Sequence, residues 1–313
     1  MKKMNVALAI LVTAVMAGHA ATGTSDVVGY QVQSFNAGNT VHTVTFVKPD
    51  LFRGLASSKT ANSLVVSTAT FGNYGLVDGS PTHYVKILDG PLTGYVFDVI
   101  SNTATSIIVD GNLATAGATP KFLVREHIRA SDVFATSTGF TDVQDTFTLF
   151  NSDGTTTVGL RLGTDSPTGW ISPATEQPIN PVIYPGQGFL LTTASSGTFT
   201  YANTVDTTPT AVPLYPRTVN LVSRASPGSN SMELASSGIG LNMTPVSDTV
   251  EFWTNDGSLG TIDVALSLGV DGFVNPATEA PTTTPLLANA VVNVTVSAPT
   301  VWLAPPVYTP SSQ

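Results

Sequence analysis

Two aspartates that are each followed by glycine are the first candidates for chemistry in this sequence. Asp153 and Asp256 end short polar runs that resemble the last part of a calcium-binding loop, and Asp263 and Asp271 follow the second run. Hard cations such as Ca²⁺ prefer clustered oxygen ligands. The leading Asp of such a loop is missing, so a tight hairpin turn is the favoured interpretation of both Asp-Gly pairs. Calcium is therefore the one cofactor that the sequence suggests, and it indicates no other.

Three tyrosines are the candidates for a carbohydrate-binding surface. Aromatic rings that stack on the flat face of a sugar must be at least partly exposed, with an apolar body and a polar tip. Tyr184, Tyr201 and Tyr215 are the aromatic residues that we expect to meet this requirement. The three tryptophans lie in apolar contexts, so we interpret them as core residues. A polysaccharide is accordingly one partner that the sequence allows.

Catalytic residues are not predicted. Beyond the N-terminal segment, the histidines are His42, His83 and His127, and no Gly-x-Ser-x-Gly motif accompanies them. A Ser–His–acid triad needs a histidine that is oriented by a carboxylate and faces a serine. Glu176 and Glu279 occupy equivalent positions beside Pro in a repeated segment, which is more typical of a turn than of a glycosidase pair. An extracellular hydrolase is thus the weakest of the functions considered.

Composition excludes several other classes of protein. The chain has 313 residues, no Cys, and 21 acidic residues against 12 Lys and Arg. The absence of Cys excludes a disulfide scaffold and a Cys-ligated metal. A net charge of −9 argues against nucleic-acid binding, which needs a basic surface. A hydrophobic fraction of 42% argues against disorder.

The first 20 residues are typical of a secretory signal. Lys2 and Lys3 precede an apolar run over residues 6–17, and small residues lead to a predicted cleavage after Ala20. The apolar run is too short for a transmembrane helix, and no later segment is long enough. Removal of both lysines gives a mature charge of −11, and no Lys or Arg follows Arg224. We expect a bacterial protein that is secreted or held at the cell surface.

The spacing of apolar residues predicts β-strands. The chain is rich in Thr, Val, Gly and Ser, and alternating runs such as residues 40–47 are separated by turn residues. β-Branched residues favour strands, and this spacing is typical of sandwiches or barrels. We therefore predict an all-β fold, in which an N-terminal β-barrel or sandwich-like domain is followed by two repeated β-sandwich-like units.

An internal repeat defines these units. Residues 145–154 parallel residues 248–257, and residues 170–178 parallel residues 273–281, both at an offset of 103. Two matching blocks at one offset indicate a duplication. The predicted divisions are a signal peptide (1–20), an N-terminal β-domain (21–127), repeat unit 1 (128–212) and repeat unit 2 (213–313). Whether the two units form one domain or two is left open.

Four segments are similar to a known group of proteins. They are residues 28–30, residues 84–104, the Pro-Gly-Gln-Gly-Phe run over 185–189, and residues 219–223. Together they resemble an uncharacterised family of secreted proteins known mainly from verrucomicrobial-type bacteria. The resemblance implies an exported, β-rich protein and carries no activity or functional residue.

The expected function is structural. We expect a non-enzymatic protein of the cell surface or extracellular matrix whose β-modules associate with further copies or with other surface proteins. Edge strands can pair with another chain, and Ala21–Gly29 and Ala290–Leu303 are the candidate segments. The alternative for both segments is that they complete their own sheets. A carbohydrate-binding module is the alternative function.

Overall fold

The structure, a computed structural model, describes residues 28–216, 219–224, 231–287 and 290–306. It confirms the all-β prediction, with 46% strand and 8% helix. The α-helix of these ranges, α1 (Ala130–Phe134), has five residues. No helix within them is long and apolar enough to cross a membrane. The predicted signal peptide lies outside the described residues.

Residues 50–126 form a separate sheet, which we call the inserted module. Its strands are β3 (Asp50–Leu55), β4 (Ser58–Lys59), β5 (Ser63–Val65), β6 (His83–Ile87), β7 (Val96–Asn102), β8 (Ser106–Val109) and β9 (Lys121–Glu126). They are antiparallel in the order β3-β9-β6-β7-β8-β5-β4. Alternating apolar side chains of these strands, including the fully buried Leu64, Val85 and Phe122, form its core.

The first repeat is built from residues on both sides of this module. Its strands are β1 (Val28–Phe35), β2 (Gly38–Thr43), β10 (Ile128–Arg129), β11 (Ser137–Thr138), β12 (Thr146–Phe150), β13 (Thr156–Arg161), β14 (Trp170–Ile171), β15 (Val182–Ile183), β16 (Gly188–Thr193) and β17 (Gly197–Thr204). The sheets β1-β17-β11 and β14-β13-β12-β16-β2 share one core. Phe199 and Phe189 meet there at 6.2 Å between ring centroids, beside the fully buried Trp170.

The second repeat has the same plan. Its strands are β18 (Thr210–Leu214), β19 (Asn220–Val222), β20 (Ser231–Glu233), β21 (Thr249–Trp253), β22 (Thr261–Ser267), β23 (Phe273–Val274), β24 (Pro285–Leu287), β25 (Val292–Thr295) and β26 (Thr300–Ala304). The main sheet is β19-β25-β21-β22-β23, and β18 pairs with β26. Strands β12 and β21 show the same alternation of buried and half-buried residues. Trp302 is the largest side chain of the second core.

A buried aspartate performs the same task in each repeat. Asp145 accepts the backbone N–H groups of Thr141 and Ala194, each at 2.7 Å. Asp248 accepts the two corresponding N–H groups, 103 residues later, at 2.7 and 2.8 Å. Charge-assisted bonds of this kind stabilise buried carboxylates. The duplicated sequence block therefore corresponds to a duplicated hydrogen-bonding arrangement.

The sheets divide the chain differently from the predicted boundaries. Strands β1 and β2 lie within the predicted N-terminal domain (21–127), but they pair with β17 and β16 of the first repeat. The predicted boundary at residue 212 cuts β18, which belongs to the second repeat. Alternation in a sequence shows which face of a strand is buried, and it does not identify the strand beside it.

The segment Ala290–Leu303 completes its own repeat. Strand β25 pairs with β19 and β21, and β26 pairs with β18. These pairings are the alternative that the sequence left open for this segment. Of the other candidate, Ala21–Gly29, only Val28 and Gly29 fall within the described residues.

The two repeats contact each other through a small apolar cluster. Val41 and Leu221, at equivalent positions of β2 and β19, are buried there together with Val291. The side-chain amide of Asn255 accepts the backbone N–H of Val41 at 2.7 Å and donates to its carbonyl at 3.0 Å. The Asn255 amide therefore makes the two hydrogen bonds to Val41 that a neighbouring strand would otherwise make, and it links the two repeats.

Candidate functional site

A cleft of about 610 Å³ opens where the inserted module meets both repeats. Volumes of this size are typical of small-molecule sites, which often lie between domains. The inserted module supplies residues 96–98 and 110, the first repeat supplies 150–153, 184, 185, 187 and 188, and the second supplies 211–213, 215 and 219–222. Three parts of the chain that are distant in sequence therefore build one concave surface.

Two of the three predicted sugar-stacking tyrosines line this cleft. Tyr184 precedes the turn into β16 and is 38% exposed, and Tyr215 follows β18. Tyr201 does not join them, because it lies on the inner face of β17 and is 7% exposed in the core of the first repeat. Its hydroxyl accepts a hydrogen bond from Asn203 at 3.1 Å. The expectation that Tyr201 is a surface platform is therefore corrected.

The ring of Tyr184 is held by the inserted module. Its hydroxyl donates to Asp98 Oδ2 at 2.7 Å, and the ring of His127 meets it edge-on at 5.3 Å. His127 Nε2 in turn lies 3.0 Å from Asp98 Oδ1. Burial and then the nearby Asp98 carboxylate raise the pKa of Tyr184. The hydroxyl therefore stays protonated and keeps donating to Asp98.

Glycines explain why the turn after Tyr184 reaches the second repeat. Gly186 has a φ of +84°, and a Cβ at this position would lie 2.5 Å from a methyl group of Val212. A Cβ on Gly188 would lie 2.7 Å from Val291 and 3.0 Å from Leu221. Only glycine permits this backbone conformation together with such a close approach. The Pro-Gly-Gln-Gly run of the first repeat therefore packs directly against the second repeat.

A buried charge cluster fixes the inserted module against the segment between the repeats. Lys86 Nζ donates to Asp206 Oδ2 at 2.7 Å and to Thr210 Oγ1 at 2.9 Å, and Arg125 Nη1 lies 3.1 Å from the same carboxylate oxygen. Burial by itself would raise the pKa of Asp206. The two cations outweigh burial and hold that pKa well below its usual range. Asp206 therefore remains charged and holds the segment between the repeats against the inserted module.

The four calcium candidates each have different surroundings. The carboxylates of Asp153 and Asp256 each accept the N–H and hydroxyl of the residue two positions later, at 2.6 to 3.0 Å. Asp263 accepts hydrogen bonds from Asn275 and Thr284, and Asp271 ends a 3₁₀ helix. The described ranges contain no group of three or more His, Cys, Asp or Glu side chains that could hold a metal. Both Asp-Gly pairs occupy turns between adjacent strands, β12–β13 and β21–β22.

Edge strand β1 is the second surface of interest. It has eight residues without charge and pairs with β17 along one side, while no strand of the described residues pairs with its other side. Val28, Tyr30 and Val32 project from one face and are 69%, 75% and 54% exposed. Long, uncharged edges of this kind can accept another strand.

Sequence reasoning did not find the acidic side of the cleft. Asp98 and Asp110 come from β7 and the residue after β8, and nothing in their local pattern distinguishes them from other surface acids. His127, whose Nε2 lies 3.0 Å from Asp98 Oδ1, was likewise not connected with this site. No protein-family model, no curated protein and no solved structure matches the chain.

Proposed function

We propose that the mature chain is a non-catalytic structural protein of the cell exterior that assembles through β1. The observation that carries this proposal is the open side of β1 together with its exposed apolar face. Backbone N–H and C=O groups along such a side can pair with a strand of another molecule. The expected secretion and the lack of Cys agree with a stable exported module.

The charge distribution favours a second copy as the partner. The whole chain carries −9, whereas Val28–Phe35 contains no charged residue. Two copies that meet at β1 therefore bring their uncharged edges together and keep most acidic side chains apart. Antiparallel pairing of β1 with itself obeys two-fold symmetry, the commonest arrangement of homodimers. The paired strands would place Val28, Tyr30 and Val32 of both copies on one continuous face.

The surroundings of the histidines support a non-catalytic interpretation. His42 contacts Gln33 and Thr40, His83 contacts Thr82, and His127 lies beside Asp98. Within the described part of the chain, none of the three has a serine hydroxyl as a hydrogen-bond partner. A nucleophilic triad requires that contact.

Sedimentation velocity tests the assembly. We expect the purified mature protein to associate as its concentration rises, and we expect Val32→Lys to shift it towards monomer by placing a charge in the paired face. Val270→Lys is the matched control, because Val270 is 81% exposed in the second repeat and far from β1 in the chain. A wild-type protein that stays monomeric at high concentration would refute the proposal. An equal effect of both substitutions would do so as well.

A further inference from the structure

We infer that the cleft between the inserted module and the two repeats is a binding site for a neutral oligosaccharide, with Tyr184 as its stacking platform. The cleft is partly open to solvent and has a volume of about 610 Å³. This volume falls within the range of sites that enclose small ligands. The inference is independent of assembly through β1, because β1 contributes no residue to the lining.

The charges of the lining define the class of ligand. Asp98, Asp110 and Asp153 line the cleft, and among the described residues that line it there is no Lys, Arg or His. An anionic ligand, such as a uronate-rich or sulfated polysaccharide, would be repelled by these carboxylates. Carboxylates accept strong hydrogen bonds from hydroxyl groups. A ligand with many hydroxyl donors and no negative charge is therefore compatible with these three carboxylates.

The aromatic side of the cleft favours a sugar over a basic peptide. Tyr184 is 38% exposed, and its ring orientation is restrained by the hydrogen bond to Asp98 and by the T-shaped contact with the His127 ring. A platform that is already rigid loses little conformational entropy when a flat ligand stacks on it. The Asp98 carboxylate, which would otherwise attract a cation, already interacts with the Tyr184 hydroxyl and lies 3.0 Å from His127.

The proposed stacking ring belongs to the first repeat and has no aromatic counterpart in the second. The residue equivalent to Tyr184 in the second repeat is Leu287, which is 45% exposed and offers no ring. The inserted module, which supplies Asp98 and Asp110, interrupts the first repeat between β2 and β10. One copy of the duplicated unit has thus acquired both the ring and the acidic wall.

Isothermal titration calorimetry with three neutral hexasaccharides (cellohexaose, laminarihexaose and β-1,4-mannohexaose) tests the inference. We expect at least one of them to bind, and we expect Tyr184→Ala to weaken that binding by about tenfold or more. Tyr184→Phe keeps the ring and loses the hydroxyl, so it should bind within about threefold of wild type. Tyr30→Ala is the matched control, because it removes an exposed tyrosine that lies on β1 and not in the cleft.

Several results would overturn the inference. One is the absence of heat with all three hexasaccharides at millimolar concentration. Another is an equal loss of binding in Tyr30→Ala and Tyr184→Ala, when the melting temperature shows that both variants are folded. Binding of hexalysine that is lost in Asp110→Asn, without hexasaccharide binding, would assign the cleft to a basic peptide instead. Val32→Lys should bind the sugar normally, which separates this test from the test of assembly.

Discussion

Acid is expected to destabilise the first repeat through His42. This residue lies on β2, is 3% exposed, and has only neutral hydrogen-bond partners, Gln33 Oε1 at 3.0 Å and Thr40 Oγ1 at 2.9 Å. Burial without a compensating negative charge disfavours the imidazolium and lowers the pKa of His42 to about 3. The unfolded chain takes up this proton near pH 6.5, so it binds more protons than the folded chain below that pH.

The size of the effect follows from the two pKa values. Stability contributed by neutral His42 is fully present above pH 6.5 and is lost progressively as the pH falls towards 3. At pH 4.5, two pH units below the unfolded value, the loss is about 3 kcal/mol. Protonation of carboxylates also lowers the free energy of unfolding in acid. The contribution of His42 must therefore be measured as the difference between wild type and a variant that lacks this histidine.

The variant His42→Val provides that difference. Val222 occupies the equivalent position of the second repeat, where it pairs with Val292 as His42 pairs with Phe189. Urea unfolding, followed by tryptophan fluorescence at pH 7.5 and 4.5, gives the free energy of unfolding of each protein. We expect wild type to lose about 3 kcal/mol more than the variant between these two pH values.

Two further measurements test whether His42 causes this difference in stability. An NMR titration of the imidazole carbon-bound protons should show no change of His42 between pH 7.5 and 4.5 in the folded protein. His83→Gln serves as the control substitution, because His83 is only partly buried. If wild type and His42→Val lose the same free energy on acidification, the reasoning from burial is refuted.

Four further substitutions have expected effects on thermal and urea unfolding. Asp206→Asn removes the carboxylate partner of the buried Lys86 and leaves the buried Arg125 with Asp50 alone, so it should lower the free energy of unfolding by about 3–5 kcal/mol, measured by urea denaturation. Asp145→Asn and Asp248→Asn each replace one acceptor oxygen by an amide donor that faces a backbone N–H. Calorimetry should show that each substitution lowers the free energy of unfolding by about 2 kcal/mol. A loss in only one of the two variants would contradict the equivalence of the two aspartates. Gly186→Ala should lower the free energy of unfolding by about 1–2 kcal/mol because of the positive φ, and further because the added Cβ would contact Val212. An unchanged melting temperature would contradict this close approach.

The repeat and the strand content could be predicted because they depend on local pattern. The blocks around Asp145 and Asp248 keep the same order of apolar and turn residues, and strands β12 and β21 begin immediately after these aspartates. Phe147 and Leu149 alternate with threonine in the sequence and are the buried residues of β12. Such features are encoded within about ten residues of sequence.

The domain boundary and the cleft could not be predicted, because both depend on distant pairings. Nothing in residues 28–43 indicates that these strands pair with residues 188–204 and not with the nearer strands of the inserted module. Tyr184 and Tyr215 were identified by residue type, but the same reasoning also selected the buried Tyr201. Asp98 gains its role because the first half of β7 lies beside Tyr184, which is 86 residues later in the chain.

The position of β1 at the start of a repeat that closes far downstream has a consequence for folding kinetics. Val28 pairs with Thr204, so 176 residues must be synthesised before this contact is available. At typical rates of synthesis that interval is about 10–35 s. The inserted module can complete its sheet within the interval, whereas β1 and β2 must wait for β16 and β17. Non-local pairing of this kind slows folding. During the delay both sides of β1 are open, so newly made chains are most prone to pair incorrectly through the strand that we propose for ordered assembly.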